Sequence, residues 1–198
     1  RLAVLKPLKV VIENFPEGKI EWLPALNNPH SDKQEQREIP FSREIWIEQD
    51  DFMEEPSKKF FRLAPGKEVR LRYAFFVTCN AVIKDEDGEI VELRCSYDPE
   101  TRGGNAPDGR KVKGTIHWVS AEHAKDAEVR IYNSFYNTPS PGRERDFIED
   151  INPNSLEVLE NCKIEPDLIA LDDNTPIQFE RLGYFYKDPD TTPEKSIY

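Results

Sequence analysis

Arg70 and Arg72, two residues apart, are the side chains of this sequence best placed for recognition chemistry. Val69, Leu71 and Tyr73 alternate with them. In a strand the apolar set turns to a core and both guanidinium groups leave from the other face, roughly 7 Å apart. That separation is close to the repeat of an extended nucleotide chain, and a planar guanidinium pairs with a phosphate or a base edge, or stacks on a base. The same alternation also describes a solvated polar face. Both arginines belong to a basic stretch with Lys58, Lys59, Arg62 and Lys67, interrupted by one acid, Glu68. A second run, Arg110-Lys111-Val112-Lys113, leads into Gly114-Thr115-Ile116-His117-Trp118, and a soluble strand edge would look alike.

Catalytic chemistry is poorly supplied. His30 lies in a Pro-Asn-rich loop, His117 within an expected strand and His123 in the next turn, with no nucleophile elbow and no metal-spaced pair. Gly103-Gly104-Asn105 lacks the Lys-Ser/Thr and the following helix of a phosphate loop and is expected to form a flexible hairpin tip. Carboxylates are abundant, but sequence does not place two of them across a substrate. Asp85-Glu86-Asp87-Gly88 lacks the third acid and closing Glu of a calcium loop. Asp-Gly instead predicts a tight type I′ hairpin, in which both central residues have positive φ. Cys79, Cys95 and Cys162 form no C-x-x-C pair and are expected as buried reduced thiols. No catalytic residue and no metal ligand is assigned.

Most other segments alternate with period two between Pro, Gly, Asn and Asp, the pattern of antiparallel strands with one buried face. Expected strands cover 8–14, 44–48, 68–77, 81–84, 90–97, 111–119, 127–132, 155–161 and 177–186. Short helical connectors are expected at 49–56, after Ser120 and at 143–151. Loop-like sequence at 24–40 and 138–142 offers junctions between units. Sixteen prolines against nine glycines suit barrels whose edges and turns are stiffened.

With 198 residues, 37% of them hydrophobic, the chain can bury one substantial core or two small ones. It has no apolar run of membrane-spanning length and starts without a signal peptide, so a soluble cytoplasmic protein with no membrane partner is expected. The net charge of −11 argues against a general nucleic-acid binder. An RNA-binding face would have to be locally basic, with acids elsewhere repelling RNA from the wrong surfaces.

Five segments, in order, resemble the C-terminal region of glutaminyl-tRNA synthetases. They are Arg1-Leu2-Ala3-Val4 through Val10-Val11-Ile12-Glu13-Asn14, Ile39-Pro40-Phe41-Ser42 with Glu44-Ile45-Trp46-Ile47, and Gly66-Lys67-Glu68-Val69-Arg70-Leu71-Arg72. Asp108-Gly109-Arg110-Lys111-Val112-Lys113-Gly114 with Ile116-His117-Trp118-Val119-Ser120, and Gln178-Phe179-Glu180-Arg181 with Gly183-Tyr184-Phe185, complete the set. The resemblance implies an all-β fold of two consecutive six-stranded antiparallel β-barrels with short connecting helices. It implies a proximal barrel from residues 1–50 and 145–198 and a distal one from 51–144.

The resemblance also implies roles at matching positions, with anticodon bases splayed into separate pockets. Arg70 and Arg72 fall at contacts to the first base and its phosphate, with Pro29 nearby, and Gln178 at a middle-base contact. Arg62 and Arg181 fall at third-base contacts, with Glu180 holding those arginines. Lys59 is a possible backbone contact. Phe61 stands where bacterial relatives often have lysine, so a charged interaction near the middle and third bases is missing or replaced by stacking. A further middle-base arginine lies at or immediately before Arg1. The nucleotide motifs of the full ligase are missing, which implies that ATP, Mg and glutamine activation belong to an N-terminal catalytic domain of the same polypeptide. The acidic, proline-rich 188–198 segment suggests truncation there too.

The expected function is recognition of the glutamine tRNA anticodon loop by a monomer with no cofactor of its own. Alternatives are the same module of an archaeal- or eukaryotic-type glutamyl-tRNA synthetase, or a stand-alone rRNA-binding barrel protein. A hydrolase would require a clustered His or carboxylate site, which the sequence does not show.

Overall fold

Alternation of apolar and polar residues is realised as strands almost throughout, in a computed structural model that describes residues 1–28 and 32–198. The strands are β1 (Ala3–Val4), β2 (Pro7–Ile12), β3 (Glu21–Leu26), β4 (Gln36–Phe41), β5 (Glu44–Glu48), β6 (Glu68–Leu71), β7 (Phe76–Lys84) and β8 (Ile90–Asp98). They continue as β9 (Thr115–Ile116), β10 (Val119–Ser120), β11 (Lys125–Tyr132), β12 (Leu156–Ile164), β13 (Ile177–Phe179), β14 (Gly183–Phe185) and β15 (Ser196–Ile197). Helical structure among the described residues is limited to 3-10 turns, at Gln49–Asp51, Pro99–Thr101, Phe147–Asp150 and Pro166–Ala170. Among the described residues no helix is long and apolar enough to cross a membrane.

The fold is all-β, and its main sheet curls into a half-barrel. That sheet has the order β10-β5-β2-β8-β7-β6-β9, and the β3–β4 hairpin packs against the same core. A second sheet, β1-β12-β11-β15, shares another core with the β13–β14 hairpin. The β2–β8, β6–β9 and β11–β15 pairings are parallel; the remaining strand pairings among the described residues are antiparallel.

β1 is the seam between the cores. Side chains alternate across a strand, so Leu2 and Val4 enter the first core while Ala3 enters the second, with Leu5 packed against it. The first core is centred on aromatic rings. Phe41 meets Phe15 at 5.0 Å and Trp118 at 5.1 Å edge to face, and Phe75 meets Tyr97 at 5.1 Å. Each such pair contributes about 0.5–1.5 kcal/mol beyond the area it buries. Two polar ties cross the seam: a buried one from Arg37 to Glu165, and a half-buried one from Arg181 to Asp51.

Several expectations are corrected. The 24–40 segment is not a junction but most of the β3–β4 hairpin, in which Leu23 and Ala25 are buried while Trp22 and Pro24 are exposed. Proline is tolerated there because a two-stranded hairpin leaves outward N–H positions unpaired. The strand expected over 68–77 is two strands, β6 and β7, reversing at 72–75. The one expected over 111–119 shrinks to β9 and β10, and that over 177–186 is the β13–β14 hairpin. The Asp85–Gly88 turn does join β7 to β8, but only Gly88 has positive φ, +86°. Asp85 Oδ1 accepts the N–H groups of Asp87 and Glu89, which makes this a wider loop than a two-residue type I′ turn. All three cysteines are buried and unpaired, and burial pushes the Cys162 thiol up to about 12.

Candidate RNA interface

Arg70 lies in β6 and Arg72 just beyond it, with Leu71 buried between them and Val69 buried just before. Their backbone is fixed from the neighbouring segment: Arg70 N–H donates to Gly114 O and Arg72 N–H to Ile116 O, each at 2.9 Å. The buried Trp118 ring donates from Nε1 to Arg72 O at 2.9 Å. Core packing thereby sets where the arginine turn stands. Tyr73 departs from the expected alternation. It occupies the left-handed region at φ +65°, only partly packed against the core, and the Arg72 guanidinium lies 4.7 Å from its ring centroid. A non-glycine residue held there costs on the order of 1–2 kcal/mol, which the surrounding contacts must offset.

The Arg70 side chain rests on glycine. Gly104, at φ +92°, is buried, and a Cβ there would lie 2.9 Å from Arg70 Cδ. The expected flexible Gly103-Gly104 tip is, at Gly104, a packing surface. The Arg70 guanidinium stands 5.4 Å from the Phe76 centroid, and no acid pairs with it among the described residues. Arg110 approaches the same ring, also at 5.4 Å, but is saturated by Glu68, Asp98 and Asp108. The Nε–H groups of Arg70 and Arg72 are buried and donate no hydrogen bond. Arg72 Nε lies 3.2 Å from Glu180 Oε1, a charge contact without hydrogen-bond alignment. Buried donors left without a hydrogen bond in this way are uncommon.

A cleft of about 370 Å³ opens beside Arg72 where the two cores meet. Arg1, Asn27, Arg72, Tyr73, Gln178 and Glu180 line it, together with apolar residues of the 171–177 segment. Gln178 is on β13, exposed between buried Ile177 and Phe179, so strand alternation aims its amide outward. The Glu180 N–H donates to Arg1 O at 2.8 Å, tying the hairpin to the start of β1. Arg1 Nη1 is 3.1 Å from Asp167 and donates to Asn27 Oδ1 at 2.5 Å.

Arg62 and Arg181, expected as partners held by Glu180, do converge, but on a different acid. Arg181 Nη1 and Nη2 donate to Asp51 Oδ2 and Oδ1 at 2.6 and 2.7 Å, and Arg62 Nε is 3.3 Å from Oδ1. Glu180 contacts Arg72 instead. Asp51 escaped the sequence-based reading because a single acid in a helical connector carries no pattern. Arg181 is also a non-glycine residue at positive φ, +69°, in the β13–β14 turn.

Phe61 is exposed, which rules out burial inside a barrel, and Lys113 Nζ stands 4.8 Å from its ring centroid. The Phe61 backbone is pressed against Gly114, where a Cβ would meet its carbonyl oxygen at 1.9 Å. A second cleft, about 400 Å³, is lined by Lys58, Phe61, Arg62, Lys67, Glu68 and Lys113 among others. Lys59 is exposed beside it. Pro29 and His30 lie outside the described residues. Among the described residues no group of His, Cys, Asp and Glu suited to a metal ion forms.

Comparison with known proteins adds the family. A model of the anti-codon binding domain of class I tRNA synthetases (E and Q) matches residues 1–98, and a second model of the same description matches residues 115–188. The chain belongs to these anticodon-binding domains. It is 60% identical, over 198 residues, to the glutamine–tRNA ligase of Bradyrhizobium diazoefficiens, covering 100% of this chain and 35% of that protein. It is 50% identical over 198 residues to that of Aliivibrio salmonicida, covering 100% of this chain and 36% of the relative. Over 189 residues it is 50% identical to that of Clostridium kluyveri, covering 94% and 34%. The chain thus spans about a third of these relatives' length.

Proposed function

We propose that this chain reads the anticodon loop of glutamine tRNA and thereby gives specificity to an ATP- and Mg-dependent glutamine ligation carried out by the rest of a longer polypeptide. The observation that carries this reading is the cleft in which Arg72, Gln178 and Glu180 meet beside the Asp51-bound arginines. Unstacked bases need several separate polar pockets on one surface, and this surface supplies them from both cores. Arg70 and Arg72 take the first base and its phosphate, Gln178 the middle base, Arg62 and Arg181 the third. Phe61 offers a stacking face, while Lys59 and its lysine neighbours hold the backbone. Base-edge bonds specify and phosphate contacts position.

The basic face forms despite the acidic total because cations elsewhere are paired. Arg102, Arg110, Arg130 and Arg145 are each tied to acids, whereas Lys58, Lys59, Lys67 and Lys111 have no ion-pair partner among the described residues. A proximal unit of 1–50 with 145–198 and a distal one of 51–144 are part of the proposal, although the first core draws on residues 2–119 and the second on Ala3 with 127–198. The partners are the tRNA anticodon loop and the catalytic remainder of the polypeptide, in a cytoplasmic monomer. A glutamate-specific module would share this architecture, but the three relatives named are all glutamine–tRNA ligases.

Anisotropy titration with glutamine and glutamate anticodon stem-loops at two salt concentrations tests the proposal. Preferential, salt-sensitive binding of the glutamine loop is expected. Arg70→Ala/Arg72→Ala should abolish the preference and flatten the salt slope by about one for each phosphate no longer neutralised. Equal binding of both loops, unchanged by the substitutions, would show these arginines to be a solvated strand face.

A further inference from the structure

Asp51 is an acid at the end of β5's 3-10 turn, 1% exposed, on which two arginines from distant parts of the chain converge. An arginine has five N–H donors and no acceptor. Arg181 commits one hydrogen from Nη1 and one from Nη2 to the two oxygens of Asp51. Nη1 also lies 3.3 Å from His117 Nδ1. Because arginine can only donate, His117 Nδ1 accepts, which leaves the ring proton on Nε2, facing Glu48 Oε1 at 3.4 Å. Glu48 is fixed in turn by the N–H groups of Leu5 and Lys6 at 2.7 and 3.0 Å. A chain of contacts therefore runs from the β1 seam through Glu48 and His117 to the Arg181 guanidinium.

Three of the five Arg181 donors are then occupied. The remaining two, Nε–H and the second Nη2 hydrogen, lie on one edge of the guanidinium plane as a parallel fork. Such a fork matches two neighbouring acceptors on a purine edge or a phosphate. The acid side of the pair is closed to solvent, while the Arg181 side chain is 28% exposed. The carboxylate thus fixes the direction of the fork without occupying it.

We propose that Asp51 is a positioning residue for base recognition: it orients Arg181, and Arg62 with it, so that the free edge of Arg181 meets the third anticodon base. Asp51 itself touches no RNA. This rests on the anticodon reading and adds to it a residue that lies behind the binding surface.

The test uses the whole 198-residue chain with Asp51→Asn and Asp51→Glu, stem-loops altered singly at each anticodon position, melting temperatures, and side-chain NMR of Arg181. In the parent protein the four Nη hydrogens of Arg181 should be resolved, because the double hydrogen bond hinders rotation about Cζ–Nη. In Asp51→Asn they should average, and discrimination at the third position should fall at least about tenfold, the scale of one good bidentate contact, with less than about a twofold change at the other two. Asp51→Glu keeps the charge and should fold normally, yet displaces the fork by a methylene; a similar third-position loss at nearly constant melting temperature is expected. Retained third-position discrimination in both variants overturns the proposal. So does an equal loss at all three positions that tracks a fall in melting temperature, since that is plain destabilisation. Should the parent protein show no preference at any position, the anticodon reading itself fails, and the NMR signals decide separately: resolved Arg181 signals in Asp51→Asn overturn the positioning role, and averaged ones support it.

Discussion

Arg37–Glu165 and Arg181–Asp51 are the same chemical pair, a two-pronged arginine–carboxylate contact across the seam between the cores, yet they are built to opposite ends. Arg37 and Glu165 are 6% and 3% exposed, and Arg37 donates to both Glu165 oxygens, to Leu26 O and to Asn27 Oδ1. Arg181 is 28% exposed and keeps one edge of its guanidinium unspent. A closed pair fastens the two cores together; an open pair aims a donor. The difference teaches that an arginine's role in this protein is set by how many of its five donors the protein itself consumes.

Breaking the closed pair should have the largest effect. Glu165→Ala leaves Arg37 charged and buried, for an expected loss of about 3–5 kcal/mol in denaturant unfolding, while Arg37→Met/Glu165→Leu should recover most of it. The base preferences of the folded fraction should not change, in contrast to Asp51→Asn, where specificity moves more than stability. If Glu165→Ala shifted discrimination at one base only, the division of labour between the two pairs would be wrong.

A smaller effect is expected at the surface under Arg70. Gly104→Ala places a side chain at φ +92° and 2.9 Å from Arg70 Cδ, so roughly 1 kcal/mol of stability should be lost to backbone strain. Binding at the first anticodon position should weaken in the same variant. Calorimetry and titration together separate these two consequences.

The smallest effect is electrostatic and lies away from both seam pairs. Hydrogen bonds from Arg110 hold Asp98 below the usual carboxylate range, and the Arg110 N–H does the same for Asp108. Lys195, then Arg130, lowers Glu128, and the Gly142 N–H, then Arg145, lowers Asp150. A carboxylate depressed in the folded state adds stability that is complete above its unfolded value and is lost as pH falls through the folded one. The urea midpoint should therefore stay flat from pH 7 to about 5 and decline below about 4. A decline beginning near pH 6 would point to a different titrating group.

The expected all-β class, most of the strands and the placing of Arg70 and Arg72 opposite Val69 and Leu71 were legible in sequence because each depends on local alternation, whereas Gln178, Lys59 and Phe61 entered as site residues only through the family resemblance. The β3–β4 hairpin was not, since Pro24 and Pro40 mask an alternation that an outward-facing strand position tolerates. Tyr73 does pack against the first core, but only partly, because the chain reverses at that residue and a reversal ends the period-two rule that placed its neighbours. Family likeness named Arg62, Arg181 and Glu180 together; in the structure both arginines contact Asp51 and Glu180 contacts Arg72.

By itself the sequence determined which segments are strands, which faces of them are apolar, and that its basic residues cluster within an acidic chain. Those are properties of near neighbours, fixed by side-chain alternation and composition. Only the tertiary structure decided that Asp51 faces Arg181, 130 positions away, that Glu165 closes on Arg37, and that Gly104 carries Arg70. Each of these depends on where two curled sheets bring distant segments into contact, and a single buried carboxylate or glycine leaves no periodic trace along the chain.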